Sequence, residues 1–199
     1  MDPVVVHQIA GAGLVAFALL LLAKALGRIR GDWPGYVLPV SLLLLGLFLV
    51  LDPIVFHGGT FGAEGTQHQI QGAVLIVVAA VELGRAQKRL THRAWGALLP
   101  LAVAIVGVMF MLHSQHGGGD MLLQITQHRI LGASLILTAV VLAIDNLGLA
   151  RGNWAAVGWP LLVLAVSLQL FLYVEGGTPS ADRGEGTATP VERSGHEGH

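Results

Sequence analysis

Histidine and methionine side chains concentrate in one short stretch of the chain, MLHSQHGGGDM over residues 111–121. His113 and His116 form an HxxH pair there. Met109 and Met111 lie four and two residues before His113. Imidazole and thioether together favour Cu(I), whereas zinc is rarely bound by methionine. The sequence contains no cysteine, which excludes thiolate ligands and disulfides. The stretch therefore indicates a metal site, with copper as the first expectation and zinc as the second.

The composition indicates that this stretch belongs to a membrane protein. Of the 199 residues, 54% are hydrophobic and only 12% are charged, and the mean hydropathy is +0.70. A bilayer core about 30 Å thick is spanned by roughly 20 apolar residues in a helix. We therefore predict an all-α polytopic membrane protein with six transmembrane helices, over residues of about 5–27, 36–52, 69–84, 95–113, 129–147 and 155–174.

Three segments of the chain align without gaps, which predicts an internal threefold pseudo-repeat. They are VHQIAGAGL from Val6, QHQIQGAVL from Gln67 and QHRILGASL from Gln127. In each, the histidine is followed at the same spacing by a proline, with a tryptophan between them; the pairs are His7 and Pro39, His68 and Pro100, and His128 and Pro160. The sequence thus predicts three copies of one helical hairpin, over about 4–63, 64–124 and 125–175.

A glycine lies one helical turn after each of the three aligned histidines, at Gly11, Gly72 and Gly132. Small residues in membrane helices allow two backbones to approach closely. The same lack of a side chain would admit a flat ligand such as a porphyrin. Helix packing is the first interpretation of these glycines, and ligand access is the second.

Of the five predicted connections between helices, three are associated with lysine or arginine and two have neither, which sets the expected orientation. They follow the first, third and fifth helices, whereas residues 53–67 and 114–127 contain neither. Cytoplasmic loops are enriched in these cations. We therefore expect a multi-pass protein of the bacterial inner (plasma) membrane, with both termini on the outer side and the lipid bilayer as its surroundings. No basic patch interleaved with aromatic residues indicates nucleic-acid binding.

Polar residues at the outer ends of the helices form the predicted site. In each repeat, the first helix begins at a histidine on the outer side, and the second helix ends in polar residues on the same side. The chain therefore places many potential ligands at one membrane face. The predicted metal ligands are His7, His57, His68, His113, His116, His128, Met109, Met111, Asp52 and Glu175. The strongest set is His68, His113, His116 and His128, with Met109 or Met111 as a soft auxiliary ligand. Residues 1–175 form the transmembrane domain, and the polar, histidine-containing tail 176–199 is predicted to be disordered.

Three functions remain open from the sequence. The first is a metal-binding membrane protein that handles copper in acquisition, delivery or tolerance, with a periplasmic metal carrier or a recipient metalloenzyme as partner. The second is a membrane redox protein that binds haem b through His7, His68 and His128 as candidate axial ligands. The third is a membrane assembly factor or scaffold. We predict no catalytic residues, because no combination of nucleophile, base and orienting group is present.

Overall fold

Six α-helices make up most of the computed structural model, which describes residues 3–55, 63–112 and 121–173. They are α1 (Pro3–Ala25), α2 (Pro34–Val55), α3 (Ala63–Ala86), α4 (Leu98–Leu112), α5 (Met121–Asn146) and α6 (Trp154–Phe171). A short 3-10 helix, Arg93–Ala97, leads into α4. Within these described ranges there is no β-strand.

The six predicted spans are confirmed as helices that are long and apolar enough to cross a membrane. Their outward surfaces carry large apolar side chains, among them Leu44, Val77 and Leu101, as expected for a surface in contact with lipid. The helices α3 and α5 begin well before the apolar stretches predicted at 69–84 and 129–147. Their first turns are rich in glutamine, which lowers the hydropathy but is a good helix former.

We use two names for the ends of the bundle. The histidine end is where α1, α3 and α5 begin and α2, α4 and α6 end. The arginine end is the opposite one, where residues 26–33, 87–97 and 147–153 connect the helices. The predicted histidines His7, His68 and His128 lie in the first turns of α1, α3 and α5, and therefore at the histidine end.

The closest helix pairs are not those joined at the arginine end. The helix α2 packs most extensively against α3, α4 against α5, and α1 against α6, whereas α1 contacts α2 sparsely and α3 contacts α4 sparsely. The predicted hairpins α1–α2 and α3–α4 are thus not the tightly packed units. Glycine explains the difference, because small residues let neighbouring backbones approach where lipid supplies no hydrophobic driving force.

Each close pair has a backbone contact at one of the aligned glycines. A Cβ atom added to Gly72 would lie 2.6 Å from the carbonyl oxygen of Gly46, and one added to Gly132 would lie 2.6 Å from that of Gly107. A Cβ atom on Gly11 would lie 2.5 Å from the backbone nitrogen of Phe171. The space beside these glycines is filled by the neighbouring helix, so they serve helix packing and leave no opening there for a flat ligand.

The buried apolar core lies toward the arginine end. It joins four helices through Leu42, Leu75, Val78, Ala79, Leu99, Ala102 and Leu142. Polar contacts also lie at the arginine end. Arg85 donates from Nη1 to both carboxylate oxygens of Glu82 within α3, at 2.6 and 2.8 Å. Asn146 donates from Nδ2 to the carbonyl of Gly96 at 3.0 Å, which ties α5 to the 3-10 helix.

The helices α1, α3 and α5 end in one shared hydrogen-bonding pattern. In each, the backbone N–H groups of the three residues after the helix donate to carbonyls of its last turn, and the second of these three residues has a positive φ. That residue is Gly27 (φ 67°), Lys88 (φ 59°) or Gly148 (φ 66°). Such an end favours glycine, which has no Cβ to oppose the left-handed conformation. Lys88 is the one non-glycine residue with positive φ in the part of the chain that the structure describes.

Replacing Lys88 by glycine should therefore stabilise the protein by about 1 kcal/mol, the usual cost of a side chain in this conformation. Lys88→Ala is the matched control, because it removes the same charge and keeps the Cβ atom. The free energy of unfolding in mixed micelles should be higher for Lys88→Gly than for Lys88→Ala. Equal stabilities of these two variants would contradict the proposed strain.

Replacing Gly72 by alanine should lower the free energy of unfolding by about 1–3 kcal/mol, because the added methyl group forces α2 and α3 apart. Gly13→Ala is the control in α1, where nothing lies within 4 Å of an added Cβ atom. That control should be neutral or slightly stabilising, since alanine favours the helix. A Gly72→Ala variant as stable as Gly13→Ala would show that the α2–α3 contact does not depend on glycine.

Candidate functional site

Two of the predicted histidines meet at one tyrosine on the histidine end. The ring of His7 stacks on that of Tyr173, with centroids 4.3 Å apart and planes 24° apart. The ring of His128 meets the same tyrosine edge-on, with centroids 5.7 Å apart and planes 88° apart. Tyr173 directly follows α6, so residues from near both ends of the described chain converge here. The predicted clustering of histidines thus holds for His7 and His128.

A pocket of about 270 Å³ opens beside these rings, between α1, α5 and α6. Its polar lining consists of His7, Gln127, His128, Gln169 and Tyr173, and its remaining walls are isoleucine and leucine. Among the described residues that line it there is no carboxylate. The pocket therefore offers neutral nitrogen and oxygen ligands in apolar surroundings.

The ring of His128 is oriented by its own helix. Its Nδ1 lies 2.9 Å from the backbone carbonyl oxygen of Gln124, one turn earlier in α5. A carbonyl oxygen only accepts, so Nδ1 carries the proton and Nε2 is the nitrogen with the lone pair. Histidines that bind metals are held in this way, with one ring nitrogen donating to a carbonyl or carboxylate and the other facing the metal. His128 is 7% exposed, and Phe110 of α4 tilts against its ring at 5.8 Å.

His68 has an equivalent arrangement at the α2–α3 pair. Its Nδ1 donates to Oδ2 of Asp52 at 2.9 Å, and Asp52 is only 1% exposed. The carboxylate fixes the tautomer of His68 with Nε2 as the lone-pair nitrogen. Asp52, predicted as a ligand, is thus placed behind the imidazole as its hydrogen-bond partner.

Gln169 adds a second polar side chain that is held in position within the pocket. Its Nε2 donates to Oγ of Ser134 at 3.0 Å, which links α6 to α5. Its Oε1 is buried and has no hydrogen-bond partner among the described residues. The side chain can therefore accept a hydrogen bond from a bound group or from water that the group carries.

The structure separates the predicted ligand set rather than gathering it. His68 pairs with α2, whereas His128 lies in the pocket between α1, α5 and α6. Met111 packs its Cγ over Gly132, where an added Cβ atom would lie 2.6 Å away, and Met109 is half-buried. Within residues 3–55, 63–112 and 121–173, no three His, Asp or Glu residues are grouped closely enough to hold a metal ion.

Four predicted ligands lie outside the described residues, namely His57, His113, His116 and Glu175. The proposed tail 176–199 lies outside them as well. The complete metal site of His68, His113, His116 and His128 therefore stays a prediction. Of these four residues, the structure describes His68 and His128.

Tyr173 is the residue of the site that the sequence interpretation missed. A signal for it exists, because Tyr173 follows Pro160 at the same spacing as Asp52 follows Pro39. Each of these two residues contacts the histidine at the start of the neighbouring helix, Tyr173 with His7 and Asp52 with His68. Comparing positions along the second helices, and not only the histidines of the first, would have indicated it.

Comparison with known proteins finds no match to a protein-family model, to a curated protein or to a solved structure.

Replacing Tyr173 by leucine should lower the free energy of unfolding by about 1–3 kcal/mol, because two aromatic contacts, each worth roughly 0.5–1.5 kcal/mol, are lost. Tyr173→Phe keeps both ring contacts and should keep most of the stability. Histidine NMR signals should shift for His7 and His128 in Tyr173→Leu but not for His92 at the arginine end. Unchanged His7 and His128 signals in that variant would contradict the shared contact.

Proposed function

We propose that this protein is a copper-binding protein of the membrane, acting in the acquisition, delivery or tolerance of copper. The observation that supports this most is the pocket shared by His7 and His128, where the hydrogen bond from Nδ1 of His128 to the carbonyl of Gln124 orients the ring as in histidines that bind metals through Nε2. Imidazole nitrogens bind copper well, and apolar walls protect a bound ion from water.

The charge of the pocket favours Cu(I) over zinc. A divalent ion in an apolar site costs more free energy to bury than a monovalent one unless carboxylates compensate for it. The described lining residues provide no carboxylate. Structural zinc sites almost always have four ligands, whereas two imidazoles with a neutral amide and phenol nearby suit a soft monovalent ion. Zinc is therefore the second choice.

Further ligands and the wider architecture belong to the same proposal. His113 and His116, which lie outside the described residues, belong to this proposal as ligands predicted from the sequence, and His68 with Asp52 is a further proposed binding group. In this proposal the chain consists of three related sequence repeats of two helices each, and its histidine end faces the outside of the bacterial inner membrane. A periplasmic carrier or a recipient metalloenzyme exchanges copper with that end.

Joint replacement of His7 and His128 by alanine should remove most of the copper bound by the purified full chain. His92→Ala is the matched control, because this histidine only caps the 3-10 helix, accepting at Nδ1 from the backbone N–H of Ala94 at 3.2 Å. The measurement is competition for Cu(I) against a coloured chelator under argon, with total metal determined by mass spectrometry. Binding should weaken in acid, since protons compete with the metal for the imidazole nitrogens.

Undiminished copper in the His7→Ala/His128→Ala protein would overturn this proposal. Copper that is lost from that protein and retained by His92→Ala would support it. A visible haem spectrum of the purified protein, lost on replacing two of His7, His68 and His128, would instead establish the haem b alternative. Retention of zinc but not copper by the wild-type chain would reverse the choice of metal. A protein that binds none of these would favour the assembly factor or scaffold.

A further inference from the structure

The arginine end carries more positive charge than its carboxylates balance. Its three connections, residues 26–33, 87–97 and 147–153, contain six lysine or arginine residues and one carboxylate, Asp32. The structure describes all three connections. The carboxylates at this end of α3 and α5 are already engaged, since Glu82 pairs with Arg85 and Asp145 accepts from Trp159. The arginine end therefore presents a cationic surface, which attracts anionic headgroups.

Arg93 reaches across the join of α4 and α5 on this surface. It begins the 3-10 helix that leads into α4, and a Cβ atom added to Gly148, just beyond α5, would lie 3.5 Å from its Nη2. Arg93 is exposed, and it has no ion-pair partner among residues 3–55, 63–112 and 121–173. Guanidinium binds phosphate through two parallel hydrogen bonds, so Arg93 provides a phosphate-binding group at this join.

Two tryptophans place Arg93 at the level of the lipid headgroups. Trp95, two residues later, and Trp154, at the start of α6, are 39% and 52% exposed at the same end of the bundle. Exposed tryptophan in membrane proteins lies at the interface between headgroups and acyl chains. A phosphate at Arg93 would therefore have its acyl chains beside α4 and α5.

An apolar groove of about 240 Å³ lies between α4 and α5 and begins near Arg93. Small side chains make it concave, namely those of Ala97, Ala104, Ala139 and Ala143. Leu101 and Val140 also line it and are 56% and 51% exposed, so the groove opens toward lipid and not toward the buried core. From Ala97 to Ala104 it follows α4 for about 10 Å, at about 1.5 Å per residue.

A cation at the position of Arg93 occurs in one of the three aligned segments. Arg93 lies seven residues before Pro100, and the residues seven before Pro39 and Pro160 are Asp32 and Asn153. The positive charge is therefore specific to the join of α4 and α5, where the groove lies.

We infer that this join binds one phospholipid with an anionic headgroup, whose phosphate lies on Arg93 and one of whose acyl chains lies in the groove. Basic positions between membrane helices bind acidic headgroups in this way. A zwitterionic lipid would bring its own cation to a surface that already has an excess of them. The alanines let an acyl chain approach both helices closely, as van der Waals packing requires. This lipid site goes beyond the proposed copper function and does not depend on it.

Native mass spectrometry of the purified full chain in detergent tests the headgroup contact, with phosphatidylglycerol and phosphatidylcholine as probes. Arg93→Gln should weaken binding of the first phosphatidylglycerol about fivefold, which corresponds to about 1 kcal/mol for one cation near the membrane surface. Arg28→Gln is the matched control, because it removes the same charge from a position that is also exposed, in the connection between α1 and α2. Phosphatidylcholine should bind the wild-type chain more weakly than phosphatidylglycerol does.

Filling the groove tests the acyl-chain contact on the same instrument. Ala104→Leu should remove most of the bound phosphatidylglycerol, because the larger side chain occupies the groove. Ala165→Leu adds the same side chain to an exposed position on α6 and should leave the binding unchanged. The melting temperature of each variant shows that the protein remains folded.

Four results would overturn the lipid site. Equal weakening by Arg93→Gln and Arg28→Gln would show that the attraction is spread over the whole arginine end. A lower melting temperature of Arg93→Gln with unchanged lipid binding would show that Arg93 only supports the end of α5. Undiminished binding to Ala104→Leu, or equal binding of the two lipids to the wild-type chain, would exclude the groove or the anionic headgroup. A dimer that Ala104→Leu dissociates would assign the groove to a second copy of the chain.

Discussion

Close approach of helix backbones at glycine is the constraint on which the rest of this structure depends. Between helices in lipid there is little hydrophobic driving force, so van der Waals packing decides which helices associate. The contacts of Gly72 with Gly46 and of Gly11 with Phe171 select α2–α3 and α1–α6 as close pairs. Gly11 and Gly72 each lie one helical turn after a histidine. The contact that joins two helices at the glycine therefore also brings that histidine against the neighbouring helix. The positions of His68 beside Asp52 and His7 beside Tyr173 follow from it.

The partner of each histidine then determines its chemistry. A buried carboxylate such as Asp52 is costly at membrane depth unless it is paired, and its Oδ2 accepts a hydrogen bond from Nδ1 of His68, which orients the imidazole. Tyr173 instead provides an apolar ring with a polar tip, which stacks on His7 without adding charge. One join between helices is therefore polar and charged, and another is neutral and aromatic. This difference is the reason that we propose a monovalent ion, and not a divalent one, for the pocket at Tyr173.

Hydropathy and spacing predicted the number of helices and the end at which the histidines lie, because both depend only on local sequence. The pairing of the helices could not be predicted in that way, since periodicity shows which side of a helix is apolar but not which helix faces it. The sequence therefore predicted hairpins α1–α2 and α3–α4, whereas the contacts within these two pairs are sparse. For the same reason it grouped His68 with His128, although the two residues contact different neighbouring helices. The sequence left two interpretations of Gly132 open, helix packing and access for a flat ligand. The close contact of Gly132 with the carbonyl oxygen of Gly107 supports helix packing.

Uneven packing has a physical cause that connects the fold to its proposed use. The helices α5 and α6 are held by polar contacts as well as by apolar ones, with Gln169 bonded to Ser134 and Trp159 donating to Asp145 at 3.0 Å. Hydrogen bonds between membrane helices add stability on the order of 1 kcal/mol each. This pair forms one wall of the pocket, and its hydrogen bonds help to hold His128 and Tyr173 in position relative to each other. For the copper-binding function that we propose, ligands held in fixed positions would provide selectivity for the ion.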